Sequence, residues 1–249
     1  MKVYITKKRT LIIVLLLVLI TAVSSVTVAI IPTFSKKRVL PIYSVEREDK
    51  KIAISFDCAW GNTYTDELLS IMHDKGVKCT FFTVKFWTDK YPDYVKKIFE
   101  HGHELGTHSS THPKMSTLSK EKIIEELSLS KKAIEDIIGT TVKVFRPPFG
   151  DYNDLLINTA EELNLKTIQW SVDSLDWKDL SANQIYDRVV NRVKAGDIVL
   201  FHNNGLNTSK ALPAIIDTLI INGYEFVTVS ELIYFDNYYI DNTGRQYCR

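Results

Sequence analysis

The stretch KIAISFDCAWG, residues 51–61, places a short apolar run directly before a carboxylate, Asp57. Six more short runs rich in β-branched and aromatic residues follow along the chain: CTFFTV, ELGTH, VKVFR, KTIQWSV, DIVLF and EFVTV. Such runs are typical of buried β-strands. Longer amphipathic stretches separate them, so the pattern predicts strands that alternate with helices in an α/β fold.

Two of the intervening stretches carry clear helix signals. In SKEKIIEELSLSKKAIEDIIG, residues 119–139, Ser119 is positioned to cap the first turn and Gly139 to end the helix. A second helix is predicted over residues 209–221, before an Asn-Gly pair. Apolar strands that alternate with helices indicate a parallel sheet, and seven such units favour a closed or nearly closed (β/α) barrel over an open doubly wound sheet. In either fold, the chemistry gathers at the carboxyl ends of the strands.

The amino-terminal part of the chain differs in composition from the rest. Residues 1–10 are basic, residues 11–34 contain no charged side chain, and residues 35–49 are polar. The uncharged stretch is long enough to span a bilayer as a helix, and the basic leader favours a cytoplasmic amino terminus. We therefore expect a single-pass anchor in the cell membrane, a linker and an extracytoplasmic domain. A cleaved signal peptide is the alternative, with a weak cleavage pattern at residues 22–25, and the basic residues 36–38 oppose the expected orientation.

Composition narrows the classes of function. Lysine and arginine number 31 against 30 acidic residues, so the sequence offers no basic surface for a nucleic acid partner. Cys58, Cys79 and Cys248 lie far apart without CxxC spacing, which argues against a zinc ribbon or a disulfide scaffold. Residues 234–249 carry no functional signal. We expect one domain over residues 50–233 that acts as a monomer.

Titratable side chains follow five of the predicted strands, at the point where each strand ends. They are Asp57, His108 with His112, Arg146, Asp173 with Asp176, and His202. Each has an ordinary structural explanation, since aspartate at a strand end often caps a helix and a single histidine is more often structural than a ligand. Five occurrences on one rim favour a shared site, because independent structural roles have no reason to select the same edge.

His108 and His112 are the candidates for binding a metal. Neutral imidazoles at this spacing converge if the residues between them turn helically, and a carboxylate from a neighbouring strand would complete a three-ligand site. The HxxxH pattern alone arises often by chance. His101 and His103 precede the rim and are expected to be surface or packing residues.

Five motifs occur in order along the chain: SFDCAWG, HSSTH, RPPFG, DSLDW and LFH. In order and spacing they resemble the motifs of the polysaccharide deacetylases, the NodB-homology group or carbohydrate esterase family 4, over about residues 50–233. The resemblance implies a distorted (β/α) barrel of the glycoside hydrolase/deacetylase type. It also implies a divalent metal, usually Zn²⁺ and sometimes Co²⁺ or Ni²⁺, and removal of acetyl groups from N-acetylated amino sugars.

The resemblance also implies roles for the residues on the rim. It makes Asp57 the general base, His202 the general acid, and His108 and His112 the metal ligands. Asp176 would orient the general acid and raise its pKa. These residue types fit amide hydrolysis, which requires an activated water, a stabilised oxyanion and a proton for the leaving amine.

Further residues would position the base or the substrate in the same scheme. Arg146 would hold the base, and the backbone N–H of Phe149 would help to stabilise the oxyanion. Trp177 and Leu200 would line the acetyl-binding pocket. Trp60 and Trp177 are also candidates for stacking on sugar rings, although aromatic residues at strand ends are commonly core residues.

Cys58 departs from the family pattern, because the usual motif has two adjacent aspartates and the second is a metal ligand. The third ligand stays open between a Cys58 thiolate, a nearby group such as Asn62 or Asp66, and the two histidines with Asp57 and water. Cys58 as a simple packing residue is an equally good interpretation. The stretch FDCAWGN and the Asp-Trp-Lys run at 176–178 are similar to a subgroup in spore-forming bacteria that also lacks the second aspartate. That subgroup includes sporulation proteins that act on muramic acid in cortex peptidoglycan.

The sequence thus predicts a membrane-anchored, metal-dependent deacetylase of cell-wall glycan, with peptidoglycan as the first substrate. A catalytically impaired glycan-binding or sporulation scaffold with the same fold is the alternative from another class. A chitooligosaccharide deacetylase is a third. The acid, the base and both histidines are retained together, which favours an active enzyme over the scaffold.

Overall fold

The computed structural model describes residues 7–18 and 38–249. The chain divides into two compact units, Met1–Arg38 and Val39–Arg249. In the first unit, residues 7–18 form a helix. Most of the predicted membrane segment, and parts of the predicted leader and linker, lie outside the described residues. Within the described residues, no helix has both the length and the apolar character that a bilayer span requires.

A sheet of parallel strands forms the centre of the second unit. The strands of this unit are β1 (Ser44–Val45), β2 (Lys51–Cys58), β3 (Thr80–Thr83), β4 (Glu104–Thr107), β5 (Val144–Phe145), β6 (Lys166–Thr167), β7 (Val172–Asp173), β8 (Ile198–His202), β9 (Glu225–Phe226), β10 (Tyr238–Ile240) and β11 (Arg245–Cys248). The main sheet has the order β6-β5-β4-β3-β2-β8-β7, and β9 pairs with the first residues of β2. All these pairs are parallel, as the alternating pattern predicts.

Helices connect the strands and cover the outside of the sheet. They are α1 (Thr65–Lys75), α2 (Lys85–Lys90), α3 (Pro92–Glu100), α4 (Lys120–Ile138), α5 (Asp154–Glu162), α6 (Ala182–Val190), α7 (Thr208–Ile221) and α8 (Val229–Leu232). The signals predicted for α4 are all present, since the Ser119 side chain accepts a hydrogen bond from Lys122 N and Gly139 ends the helix at φ 70°. The predicted helix over 209–221 is α7.

The sheet is strongly curled, and its two edge strands belong to neighbouring segments of the chain. Residues 168–171 alone join β6 to β7, so the edges lie at most about 18 Å apart, whereas seven strands in a flat sheet would span about 29 Å. The prediction of one continuous strand over residues 166–172 is wrong, because β6 ends at Thr167 and β7 begins at Val172. Ile168 instead bridges to Ile42, and Ser171 N donates to the carbonyl of Ile198. The result is a distorted barrel whose ladder of strands is not closed.

The two faces of β2 show how the barrel is packed. Ile54, Phe56 and Cys58 lie in the core between the sheet and its helices, whereas Ala53 lies in the smaller core inside the barrel. Successive residues of a strand point to opposite faces. Asp57, one residue after Phe56, therefore points to the inside of the barrel at its carboxyl end.

The carboxyl-terminal segment belongs to the same folded unit. β10 and β11 form a hairpin that pairs with β1 in a second sheet of order β1-β11-β10. Tyr234, Phe235 and Ile240 pack against the core inside the barrel. The tail without a functional signal in the sequence therefore has a structural role.

Candidate active site

The carboxyl ends of the parallel strands open into a groove of about 540 Å³. The groove is lined by Asp57, Ala59, Trp60, His112, Phe149, Trp170, Asp173, Trp177, Asp179, Leu200, His202, Asn203, Asn204 and Gly205. Most of the residues predicted for the site are in this set. Arg146, His108 and Asp176 contact lining residues from behind, and Cys58 packs on the other face of β2.

Asp57 and Arg146 form a buried ion pair at the base of the groove. Arg146 Nη1 donates to Asp57 Oδ1 at 2.9 Å, and Nη2 donates to the carbonyl of Gln169 at 3.2 Å. The guanidinium also lies 4.2 Å from the centre of the Phe82 ring. Burial alone would raise the pKa of Asp57, but the neighbouring His108, Arg146 and His202 hold it below its ordinary value. Asp57 is therefore an anion that is fixed in position.

His108 and His112 lie next to this carboxylate with their rings 5.0 Å apart. His108 Nδ1 donates to the carbonyl of Arg146 at 2.7 Å. His108 Nε2 therefore keeps a free lone pair, and it lies 3.5 Å from Asp57 Oδ2. Burial lowers the pKa of His108, and burial together with the neighbouring His108 lowers the pKa of His112 to about 4. Both imidazoles are therefore neutral at neutral pH, which is the form that binds metals.

The loop that carries the two histidines is not helical, in contrast to the turn expected from their spacing. Ser109 and His112 have φ angles of 71° and 59°, in the left-handed region. Glu126 on α4 holds the loop, because its side chain accepts hydrogen bonds from the backbone N–H groups of Ser110 and Thr111, each at 2.8 Å. The rings converge through this irregular backbone, and the loop depends on a helix that lies further along the chain.

The atoms that lie near one another here, two imidazole nitrogens and a carboxylate, are of the types that bind a divalent cation. Neutral imidazole nitrogen and a carboxylate are ordinary ligands for Zn²⁺, and the hydrogen bond from His108 Nδ1 to a backbone carbonyl is the usual support for a ligating histidine. The number of ligands falls short, however. Within residues 7–18 and 38–249, no three histidine, cysteine, aspartate or glutamate side chains converge as a metal site.

Cys58 does not supply the missing ligand. Its side chain is fully buried in the core on the helix side of β2, and burial raises the pKa of its thiol well above the ordinary value. This position favours the packing interpretation of Cys58 over the thiolate ligand. Asp66, another candidate, lies on α1 and accepts hydrogen bonds from Lys97 and Tyr94.

His202 and Asp176 form the second charged pair of the groove. Asp176 is fully buried, and its two oxygens face His202 Nδ1 at 2.7 Å and His202 N at 2.8 Å. Thr208 Oγ1 donates to the same carboxylate at 2.7 Å. Burial alone would lower the pKa of His202, but the hydrogen bond and charge of Asp176, with Asp57 and Asp173 adding to them, raise it. The imidazole is thus poised to carry a proton.

Exposed aromatic side chains surround the groove. Trp60 is 63% exposed and Trp177 is 55% exposed, which is unusual for tryptophan outside a binding surface. The Phe149 ring is also exposed and lies 4.6 Å from the ring of His112, with backbone φ at 61°. Leu200, by contrast, is buried in β8 and forms part of the groove floor.

Several residues that support the site carry no signal in the sequence. The carbonyl of Gly61, next to Trp60, accepts hydrogen bonds from Trp87 Nε1 at 2.7 Å and from Asn203 Nδ2 at 2.9 Å. Gly205 leaves room for Asp176, because a Cβ at that position would lie 2.9 Å from its Oδ2. Asn203 directly follows the LFH motif and Gly205 lies two residues further. Proximity to that motif is the one sequence feature that could have pointed to Asn203 and Gly205.

Comparison with known proteins shows the family to which this architecture belongs. The family model "polysaccharide deacetylase" matches residues 44–168. Peptidoglycan-N-acetylglucosamine deacetylase of Bacillus cereus is 37% identical over 77% of this chain and 92% of its own length. The chain belongs to the polysaccharide deacetylase family. The family includes peptidoglycan N-deacetylases, which are hydrolases that act on amide bonds.

Relatives of the deacetylase family differ in length and in activity. The uncharacterized protein YlxY of Bacillus subtilis is 35% identical over 78% of this chain, which spans 60% of YlxY. A carbohydrate esterase family 4 pseudoenzyme of Bacillus anthracis has a TM-score of 0.75 at 32% identity, covering 84% of this chain and 73% of its own. A mutant of that pseudoenzyme with restored enzymatic activity also has a TM-score of 0.75, at 35% identity over 79% of this chain and 71% of its own. Proteins with this fold can therefore be active or inactive, so activity depends on the side chains in the groove.

Proposed function

We propose that this protein hydrolyses the acetamide of N-acetylated amino sugars in peptidoglycan. The observation that carries the proposal is that one groove holds an Asp57 carboxylate fixed by Arg146 at 2.9 Å and a His202 imidazole fixed by Asp176 at 2.7 Å, with the pKa of Asp57 lowered and the pKa of His202 raised. Amide hydrolysis needs a base to accept the proton of water and an acid to protonate the departing nitrogen. The peptidoglycan deacetylases among the relatives support the choice of substrate.

The proposed reaction transfers two protons. Asp57 accepts a proton from the attacking water as the water oxygen bonds to the acetyl carbon. Arg146 keeps this carboxylate ionised and fixed before the transfer. The C–N bond then breaks as His202 donates its proton to the nitrogen, which leaves acetate and a free amine. The backbone N–H of Phe149 is the proposed donor to the oxyanion, and Leu200 with Trp177 would accommodate the acetyl methyl group.

We further propose that His108 and His112 hold a divalent cation, most simply Zn²⁺, with Co²⁺ or Ni²⁺ as substitutes. Such a cation, when bound, polarises the acetyl carbonyl and acidifies water. The ion would have an open ligand position where the family pattern has a second aspartate and this chain has Cys58. Binding should accordingly be weaker than at a complete three-ligand site.

The anchor predicted over residues 11–34 completes the proposal. Such a segment would hold the deacetylase domain at the outer surface of the cell membrane, next to the cell wall. A role in sporulation remains part of the same hypothesis, because the FDCAWGN stretch resembles that subgroup. Membrane fractionation of the full chain, with and without residues 1–38, tests the anchor directly.

Acetate release tests the proposed function. The full chain is incubated with peptidoglycan and with N-acetylglucosamine oligomers, first with Zn²⁺ or Co²⁺ and then with a chelator. We expect acetate from peptidoglycan in the presence of the cation and its loss with the chelator. Release from the oligomers alone would favour the chitooligosaccharide deacetylase. Binding of both glycans without any acetate would favour the scaffold.

A further inference from the structure

Gln169 is a buried residue that connects two parts of the site. It is 2% exposed and is not among the residues that line the groove. Its backbone carbonyl accepts the hydrogen bond from Arg146 Nη2 at 3.2 Å, and its side-chain Nε2 donates to the carbonyl of Gly150 at 3.1 Å. Gln169 therefore links Arg146, which fixes Asp57, to the turn that carries Phe149.

The turn Pro148–Gly150 has a backbone that requires support from its surroundings. Phe149 and Gly150 have φ angles of 61° and 65°, both in the left-handed region. Glycine adopts this region freely, whereas phenylalanine does so at a cost and stays there only where the surrounding structure holds it. The turn also packs closely on Gln169, since a Cβ at Gly150 would lie 3.1 Å from Gln169 Oε1. The Gln169 amide thus fastens the last residue of the turn to the barrel.

The backbone N–H groups of this segment differ in their partners. Gly150 N donates to the carbonyl of Pro147 at 3.1 Å, and Asp151 N donates to the carbonyl of Pro148 at 3.0 Å. Phe149 N, by contrast, donates to no acceptor in the part of the chain that the structure describes, residues 7–18 and 38–249. Because Phe149 lines the groove, its N–H can donate to a bound ligand.

We propose that Gln169 is a positioning residue for the transition state, which fixes the Phe149 N–H relative to Asp57 without contacting the substrate. This inference rests on the proposed function. A donor stabilises an oxyanion only when it lies within hydrogen-bond distance of the oxygen that becomes charged, and small displacements of such groups lower the rate. Through its backbone and its side chain, Gln169 holds the proposed base and the proposed donor at a fixed separation.

Gln169→Met removes the donated hydrogen bond and keeps a side chain of similar length. The backbone carbonyl that accepts from Arg146 is unchanged, so Asp57 should keep its partner. We expect kcat for acetate release from soluble peptidoglycan fragments to fall about 10-fold, less than the 10²- to 10³-fold typical when a donor is lost entirely. KM and the pH profile should stay native, because substrate binding and the two proton-transfer groups are unaltered.

Gln246→Met is the matched control. Gln246 is fully buried in β11 and does not line the groove. Its side chain accepts from Tyr234 N at 2.9 Å and donates to the carbonyl of Tyr234 at 2.6 Å. Both variants lose hydrogen bonds between a buried glutamine and the backbone, so both should unfold at a lower temperature than the native protein. Only Gln169→Met should lower kcat.

A transition-state analogue tests the position of the Phe149 N–H without turnover. The probe is a peptidoglycan fragment whose acetamide is replaced by a methylphosphonamidate, which carries an anionic oxygen on a tetrahedral centre. Titration calorimetry with the Zn²⁺-loaded full chain compares it with the matching acetamide. We expect Gln169→Met to bind the phosphonamidate about 10-fold more weakly than the native protein and Gln246→Met to bind it equally well. All three proteins should bind the acetamide equally.

The two measurements distinguish failure of this inference from failure of the proposed function. A native protein that prefers the phosphonamidate through Gln169 but releases no acetate would contradict the proposed function and support the inference. Native kcat and native phosphonamidate affinity in Gln169→Met would overturn the inference and leave the deacetylase intact. Equal losses of kcat in both glutamine variants, or a native protein without preference for the phosphonamidate, would also overturn it.

Discussion

The two sides of the groove differ in how completely their functional side chains are held by hydrogen bonds. On the acid side, the buried Asp176 carboxylate faces two nitrogens of His202 and receives a third hydrogen bond from Thr208, all within 2.8 Å. On the histidine side, His108 has a backbone partner, but the position beside Asp57 that would complete a cation site is Cys58, which packs into the core. The groups proposed to transfer protons are therefore preorganised by the protein alone, whereas the proposed cation site has no third protein ligand among the described residues.

On the proposed mechanism, this difference separates the residues that set turnover from the residues that set metal affinity. The His202–Asp176 pair keeps its geometry without a cation, because both Asp176 oxygens and His202 Nδ1 already have partners. A two-histidine site depends on water or substrate for its remaining ligands. Substitutions on the acid side should thus change the rate and its pH profile, and substitutions on the histidine side should change the concentration of metal that is required.

Asp57→Asn should cause the largest loss of activity. Asparagine can still contact Arg146 but cannot accept a proton from water, and a general base typically contributes 10²- to 10⁴-fold. We expect acetate release to fall about 10³-fold, measured at saturating Zn²⁺. Asp217→Asn, on the exposed side of α7, provides a charge-matched control with native activity. A residual rate above about a tenth of the native value would assign the base to another group.

Asp176→Asn should have the next largest effect and should change the pH profile. His202 must be protonated to donate, and its raised pKa depends mainly on the hydrogen bond and charge of Asp176. Without that charge the pKa falls, so the alkaline limb of kcat should move to lower pH and the rate at neutral pH should drop about 10²-fold. A uniform loss with an unmoved pH profile would mean that Asp176 only maintains the fold.

Cys58→Asp tests the histidine side of the comparison. A carboxylate in the helix-side core is costly to bury, so we expect the metal-free variant to unfold at a lower temperature than the native protein. If the longer side chain turns out of the core toward His108 and His112, the variant should bind Zn²⁺ at least about 10-fold more tightly than the native protein, regain stability with the ion bound and keep equal or higher turnover. Cys58→Ser is the matched control and should gain no metal affinity. If Cys58→Asp is destabilised with and without Zn²⁺, residue 58 cannot reach the cation site.

The sequence predicts the alternating elements and the rim because both depend on local patterns. It misses the break between β6 and β7, since residues 166–172 look like one apolar strand and only the curl of the sheet interrupts it at residues 168–171. It also misses the face of Cys58, because β2 runs to Cys58 whereas the predicted strand ends at Phe56. Had the strand been extended, its two-residue period would have placed Cys58 opposite Asp57. The support from Glu126 depends on tertiary packing that no local pattern encodes.

His103, away from the groove, should show the smallest effect on activity and a distinct effect on stability. It is 4% exposed, and Cys79 Sγ lies 3.5 Å from its Nδ1. Burial, aided by His101 and Lys78, lowers its pKa to about 4. The folded protein therefore resists protonation where an unfolded histidine, with a pKa near 6.5, accepts a proton. Stability should fall as the pH drops from about 6.5 to about 4.

His103→Leu isolates this contribution, because leucine is apolar and cannot titrate. Urea denaturation at pH 7, 5.5 and 4 measures the free energy of unfolding of both proteins. We expect the native protein to lose up to about 3 kcal/mol more than the variant across this range, since each unit of pKa shift corresponds to about 1.4 kcal/mol. Other groups, including His112, are present in both proteins and cancel in the comparison. Acetate release by the variant at neutral pH should equal that of the native protein. If the free energies of unfolding of the two proteins change in parallel with pH, folding does not lower the pKa of His103, and the histidine is protonated in the folded core at low pH.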